Sequence, residues 1–246
     1  MMPEVIIAFF AALLVRLLST LVGGGGAVII PMLLFMGLPP DQAIATNRLS
    51  GICNIFPLIK FHQDKQVRWK IGLFLAIFTS IGAVFGSFMV VTLDTNIMEK
   101  GIGIILLASV PMIFLKSKAG LIEREIKMTK LRNFGGAIIM TFLGAVGGFF
   151  SATGVWFSYV YLYYYGLTFL QTAATRKISG IAITLVSLAI FIPAGIVVWP
   201  IAVAMFIGGG IGGWVSAHYS KRLGNAWVRN LFAAVVLASA LRILFF

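Results

Sequence analysis

Apolar residues run through this chain in long blocks separated by short polar punctuation. The blocks fall near Val5–Val22, Ala27–Leu38, Ala43–Ile59, Ile71–Leu93, Ile97–Leu115, Phe134–Phe150, Val155–Leu167, Thr172–Val198, Ile201–Ala217 and Trp227–Phe246. None alternates apolar and polar positions as a half-buried strand does, and most reach the roughly 20 residues a bilayer-crossing helix needs. The pattern predicts an all-α integral membrane protein with ten hydrophobic segments, five on each side of a polar stretch from Lys116 to Arg132. The first residues lack a basic lead and carry Glu4, so the first block reads as an uncleaved span and not a signal peptide.

The two sets of five are copies of one unit. Gly37-Leu38-Pro39-Pro40-Asp41-Gln42-Ala43-Ile44-Ala45-Thr46-Asn47-Arg48-Leu49-Ser50-Gly51 lies over Gly166-Leu167-Thr168-Phe169-Leu170-Gln171-Thr172-Ala173-Ala174-Thr175-Arg176-Lys177-Ile178-Ser179-Gly180, an offset of 129 (166 − 37). At an offset of 130 (199 − 69), Trp69 lies over Trp199, Ile81-Gly82 over Ile211-Gly212, and Leu107-Ala108-Ser109 over Leu237-Ala238-Ser239. The expected organisation is a first repeat over 1–115, a basic linker over 116–132 and a second repeat over 133–246.

Charge sets how the copies face each other. Lys60, Lys65, Arg68 and Lys70 lie between segments three and four, whereas the matching Pro193–Pro200 has no charge. Between segments four and five the first copy has only Lys100 with Asp94 and Glu99, while its counterpart has Lys221, Arg222 and Arg229. With basic loops on the cytoplasmic side, equivalent loops fall on opposite faces. The units are then inverted, as an odd number of crossings requires, in the manner of many secondary transporters. The linker is expected in the cytoplasm and both termini outside.

Segments two and seven are too short for a full helical span, although each unit is still expected to cross five times, since four crossings would force the Lys221/Arg222 loop outside. Ala27–Leu38 has 12 residues, about 18 Å of helix against a hydrocarbon core of about 30 Å. Each follows a glycine break, Gly23-Gly24-Gly25-Gly26 in one unit and Gly147-Gly148 with Thr153-Gly154 in the other. Non-helical backbone at that depth must be buried in protein or line a wet cavity. A helix starting there turns free N–H groups and its positive dipole end inward, which favours an anion. The bland reading is that these glycines only let helices pack closely.

Cations reinforce the first reading. Arg48 and Lys177 share one repeat position and Arg176 overlies Asn47, each about seven residues into its segment. A cation at such depth marks a substrate pathway unless it snorkels or binds carbonyls. Thr46, Ser50, Thr175 and Ser179 flank the cations with hydroxyls, and Gly24, Gly25, Gly26, Thr153 and Gly154 complete the expected binding set. Arg16 and Arg242, nearer segment ends, read as snorkelling residues.

Composition then removes whole classes. A chain of 246 residues that is 60% hydrophobic and 11% charged cannot cover a soluble surface. Its net charge of +12 is spread over short loops between spans, so it reads as positive-inside bias and not nucleic-acid binding. All seven acids lie near predicted ends or loops, leaving the buried cations without a counter-charge. That also argues against a proton relay of buried carboxylates. His62 and His218 stand apart and Cys53 is the lone cysteine, so no metal or cofactor is expected, and no acid–base or nucleophile cluster supports an enzyme. Gly208–Gly213 fits G-x-G-x-x-G but lies inside an apolar span, not a βαβ unit. The run Tyr159–Tyr165 reads as an interfacial belt, and Cys53 as inert packing.

The glycine run with Ala27-Val28-Ile29-Ile30-Pro31, then Gly37-Leu38-Pro39-Pro40 and Ala43-Ile44-Ala45-Thr46-Asn47-Arg48-Leu49, resembles the sulfite exporter TauE/SafE family of bacterial membrane permeases. Ala174-Thr175-Arg176-Lys177-Ile178 looks like that family's repeated element. The resemblance spans nearly the whole chain. It implies a multi-pass protein of the bacterial inner membrane whose partners are the lipid bilayer and a small anionic substrate. It implies export of sulfite or organosulfonates by alternating access; an anion channel, or a permease for another small anion such as a carboxylate, is the alternative. Where relatives often carry an acid shortly before the glycine run, this chain has Leu18-Ser19-Thr20.

Overall fold

The computed structural model describes residues 2–98, 100, 101, 104, 120–124, 126, 129–150 and 153–245, with backbone alone for 221, 223, 225, 226 and 228–245. Most of the expected fifth segment, including Leu107-Ala108-Ser109, lies outside these residues, as do Lys116, Lys118 and Lys127 of the linker and the Arg242 side chain.

The described elements are helical throughout. In chain order they are α1 (Met2–Val22), α2 (Gly26–Phe35), α3 (Pro40–Ser50), a 3₁₀ turn (Gly51–Asn54), α4 (Ile55–Gln63), α5 (Trp69–Thr92), α6 (Lys130–Phe149), α7 (Gly154–Tyr159) running into a π turn (Val160–Tyr164), α8 (Phe169–Phe191) and α9 (Trp199–Phe245). Among the described residues, four stretches are long and apolar enough to cross a bilayer: Met2–Val22, Trp69–Thr92, Phe169–Phe191 and Trp199–Ser220. At 47 residues, α9 would run about 70 Å if straight, more than twice a hydrocarbon core. It is broken at Gly224, whose φ of 74° no helix contains.

Local chemistry sets the helix ends. Gly37, at φ 86°, stops α2, and the Leu38 N–H returns to the Leu33 carbonyl, the closing bond of a glycine C-cap. Pro40 then opens α3, where a missing N–H costs nothing. At the matching place α8 starts with a capping box, Thr168 and Gln171 each bonding the other's backbone N–H.

The packing is that of a membrane protein. Phe85, Leu14 and Ile77 are each at least 60% exposed, while Arg48 and Lys177 are 7% and 3% exposed. Apolar residues face outward and cations inward, the reverse of a soluble domain. α1 lies along α9 and α5 along α6, with glycine at the crossings. A Cβ on Gly82 would strike the Thr141 carbonyl, and one on Gly212 the Leu13 carbonyl. Such contact between backbones needs small residues.

The visible part of the linker is clasped to the bundle. Arg124 N–H donates to Gly166 O, and Phe169 N–H to Gly120 O. Arg68 pairs with Glu123 through two guanidinium nitrogens, and Gln171 also donates to Glu123 at 2.7 Å. Burial alone would raise the Glu123 carboxyl, but the bonds from Gln171 and Arg68 and the Arg68 charge outweigh it and hold it below its ordinary range.

Candidate functional site

The site is built where two helices break. After α1 the chain turns through Gly23 (φ 100°) and Gly24 (φ 76°) before α2 begins, a path open to glycine and strained for other residues. The second break ends at Thr153-Gly154, and the two touch through backbone. A Cβ on Gly23 would sit 2.7 Å from the Gly154 carbonyl carbon, and one on Gly154 2.8 Å from the Gly24 nitrogen.

Beside this crossing lies a cavity of about 100 Å³, several times what one water molecule needs. The breaks supply Gly23–Gly26, Thr153 and Gly154. α3 and the 3₁₀ turn supply Asn47, Arg48, Gly51 and Asn54; α8 supplies Arg176, Lys177, Gly180 and Thr184. From Arg48 and from Lys177 onward both sets step by three or four residues, one face of each helix. α1 adds Arg16 and Ser19. Four cations thus line one small space, and among the described residues no acid does. The ion pairs Lys60–Asp64 and Arg68–Glu123 are elsewhere.

Two guanidiniums also close the broken helices. Arg48 Nη2 donates to Gly147 O and, at 3.4 Å, to Gly148 O in the last turn of α6. Arg176 Nη2 donates to Ser19 O at 3.0 Å and Thr20 O at 2.9 Å in the last turn of α1. Those last-turn carbonyls carry the negative dipole end, so each cation gains from their field; Ser19 O accepts the Gly23 N–H at 2.8 Å as well. Part of the bonding capacity is left over. Arg16 Nε, Arg48 Nε, Arg176 Nε and Ser19 Oγ are buried without a protein partner. Four cations facing one small space, with no acid among the described lining residues, make the cavity chemically suited to an oxyanion.

Of the residues singled out from sequence, Arg48, Lys177, Arg176, Asn47, Gly24, Gly25, Gly26, Thr153 and Gly154 line this cavity together. Thr46, Ser50, Thr175 and Ser179 are not in its lining. Thr46 Oγ1 accepts from Val198 N–H and Thr175 Oγ1 from Arg68 N–H; Ser50 donates to Asn47 O and Ser179 pairs with Tyr161. The spacing explains it. Positions two residues from Arg48 or Lys177 point to the far side of the helix.

Two expectations need correcting. Arg16 does not snorkel: it is near the end of α1, but that is the buried end at the glycine break, so the side chain enters the cavity. The tyrosine run is not all an interfacial belt either, since Tyr161 and Tyr165 are buried and Tyr163 is exposed. Asn54 and Thr184 line the cavity beyond the residues expected from sequence. The same helical stripe that carries Arg48 and Lys177 leads to both.

The family model described as Sulfite exporter TauE/SafE matches residues 8–243. A protein of Haemophilus influenzae named "Probable membrane transporter protein" is 27% identical over 168 residues, covering 68% of this chain and 65% of that protein, just under two thirds of its length. A Sinorhizobium protein named "Probable membrane transporter protein ORF9" is 24% identical over 217 residues, 87% of this chain and 82% of that protein. No solved structure matches.

Proposed function

The chain belongs to the sulfite exporter TauE/SafE family, and from that premise we propose that it is a secondary transporter that exports a small sulfur-containing anion, sulfite or an organosulfonate, across the bacterial inner membrane by alternating access. The observation that carries this reading is the charge of the cavity: Arg16, Arg48, Arg176 and Lys177 with no acid among the described lining residues. A bound anion is the natural partner of such a site, and buried uncompensated cations are otherwise costly. Arg48 and Lys177 are its main ligands, with Arg176, Asn47 and the backbone of the glycine breaks around them. Thr46, Ser50, Thr175 and Ser179 hold the frame.

The architecture that serves this function is a pair of inverted repeats, 1–115 and 133–246, joined by a cytoplasmic linker over 116–132, with both termini outside. Paired contacts support it. Val198 N–H to Thr46 matches Arg68 N–H to Thr175, each crossing from one half to the other. Arg48 on the end of α6 has a counterpart in Arg176 on the end of α1, although Arg176 stands one repeat position earlier, over Asn47. The Gly82–Thr141 crossing matches Gly212–Leu13. Two halves that grip each other in equivalent ways can rock about a shared site. The clasp of Glu123 and Arg124 to Arg68 and Gly166 supports the basic loop and linker sharing one face.

Sulfite flux from proteoliposomes tests the reading. Arg48→Ala and Lys177→Ala are expected to abolish it while the purified proteins remain monodisperse; undiminished flux in both variants refutes the site.

A further inference from the structure

One side chain in the cavity has a place that neither packing nor the repeat explains. Asn54 Oδ1 accepts from Lys177 Nζ at 2.9 Å and lies 3.5 Å from Arg16 Nη1, so two cations converge on one neutral oxygen. The Asn54 amide nitrogen donates to Gly51 O at 2.9 Å and closes the 3₁₀ turn between α3 and α4. The turn has no room to spare, since a Cβ on Gly51 would fall 2.7 Å from Thr184 Oγ1 on α8. The equivalent position in the second half is Ile183, in the uninterrupted helix α8. The amide and the turn it closes are therefore particular to one half and are not inherited framework.

We propose that Asn54 is a positioning residue, a built-in stand-in for the transported oxyanion, which the anion displaces from Lys177 when it binds. The proposal rests on the anion-transporter reading above. A charged ammonium bonds a charged oxygen more strongly than a neutral amide oxygen, so an oxyanion reaching Lys177 and Arg16 outcompetes Asn54. Released from Lys177, Asn54 keeps only its bond within the 3₁₀ turn. The joint between α3 and α4 is then free to bend, which couples occupancy of the cavity to the shape of a span. Until the anion arrives, the same oxygen keeps the two cations in place.

The experiment measures sodium sulfite binding to the purified full-length protein by calorimetry at fixed ionic strength, with sulfite KM from liposome flux beside it. Asn54→Asp is isosteric and puts a permanent carboxylate between the two cations. It is expected to weaken sulfite binding and raise KM by about tenfold or more, with thermal stability in sulfite-free buffer equal to or above wild type. Asn54→Ala removes the competitor and is expected to bind sulfite more tightly than wild type. An Asn54→Asp protein that binds sulfite as wild type does overturns the proposal. Where Asn54→Asp fails to fold, Asn54→Ala decides: tighter binding supports the stand-in role, and equal or weaker binding overturns it. A wild-type protein that binds neither sulfite, thiosulfate nor sulfate refutes the anion-transporter reading itself, a result distinct from the failure of Asn54 alone.

Discussion

A single methyl group at Gly154 meets the Gly24 nitrogen at 2.8 Å and the Arg176 guanidinium at 3.3 Å. Gly154→Ala is therefore expected to push the two helix breaks apart, at a cost of about 1–3 kcal/mol for overpacking. A thermal melt in detergent reads this as a lowered midpoint, with sulfite flux reduced as well; a melt and flux equal to wild type contradict it. Glu123 gives a milder, pH-dependent test outside the bundle. Its carboxyl is held below the ordinary value of 4.5 in the folded protein. The stability it adds is thus present above that pH and is lost as pH falls through the depressed folded value. Glu123→Gln should flatten that part of the acid limb in melts taken across pH. The effect is small because both partners are 40% exposed and solvent screens them. An acid limb unchanged by the substitution contradicts the assignment.

Among elements, the paired crossings make the sharper prediction. Gly82 in α5 and Gly212 in α9 each lie under a carbonyl of the neighbouring helix, so Gly82→Val and Gly212→Val should lower the melting midpoint by similar amounts. Tolerance of one and collapse of the other contradicts equivalent packing. Much of this level was legible in the chain. Segment lengths and the two glycine breaks locate the short helices α2 and α7, and the Gly37/Gly166 alignment locates the cation-bearing helices. What escaped was rotation about a helix axis and the depth of a helix end. Thr46 and Ser50 sit beside Arg48 in sequence but on the other side of α3, where Thr46 holds Val198. Arg16 is near the end of α1, yet that end is interior because the glycines turn the chain there. The 3₁₀ turn at Gly51–Asn54 had no signal in apolar periodicity, since the block Ala43–Ile59 runs through it unbroken; its cause is the side chain of Asn54 bonding back to Gly51.

At the scale of the whole molecule, the inversion of the halves that we propose predicts which loops share a face. In a Cys53→Ala background, Gln63→Cys beside the basic loop should react with a membrane-impermeant thiol reagent only from the cytoplasmic side. Ala194→Cys, exposed in the uncharged counterpart loop, should react only from outside. Labelling of both from one side contradicts the inverted arrangement. The central claim, however, concerns the cavity at the glycine breaks: four cations and, among the described lining residues, no acid around a space suited to one oxyanion. Its most direct test is a structure of the protein soaked with selenite, a heavier oxyanion of sulfite's shape, located by the anomalous signal of selenium. The account predicts a peak between the glycine breaks within hydrogen-bonding reach of Arg48 and Lys177. A protein that transports sulfite and binds selenite at another place, with no peak in this cavity, contradicts it.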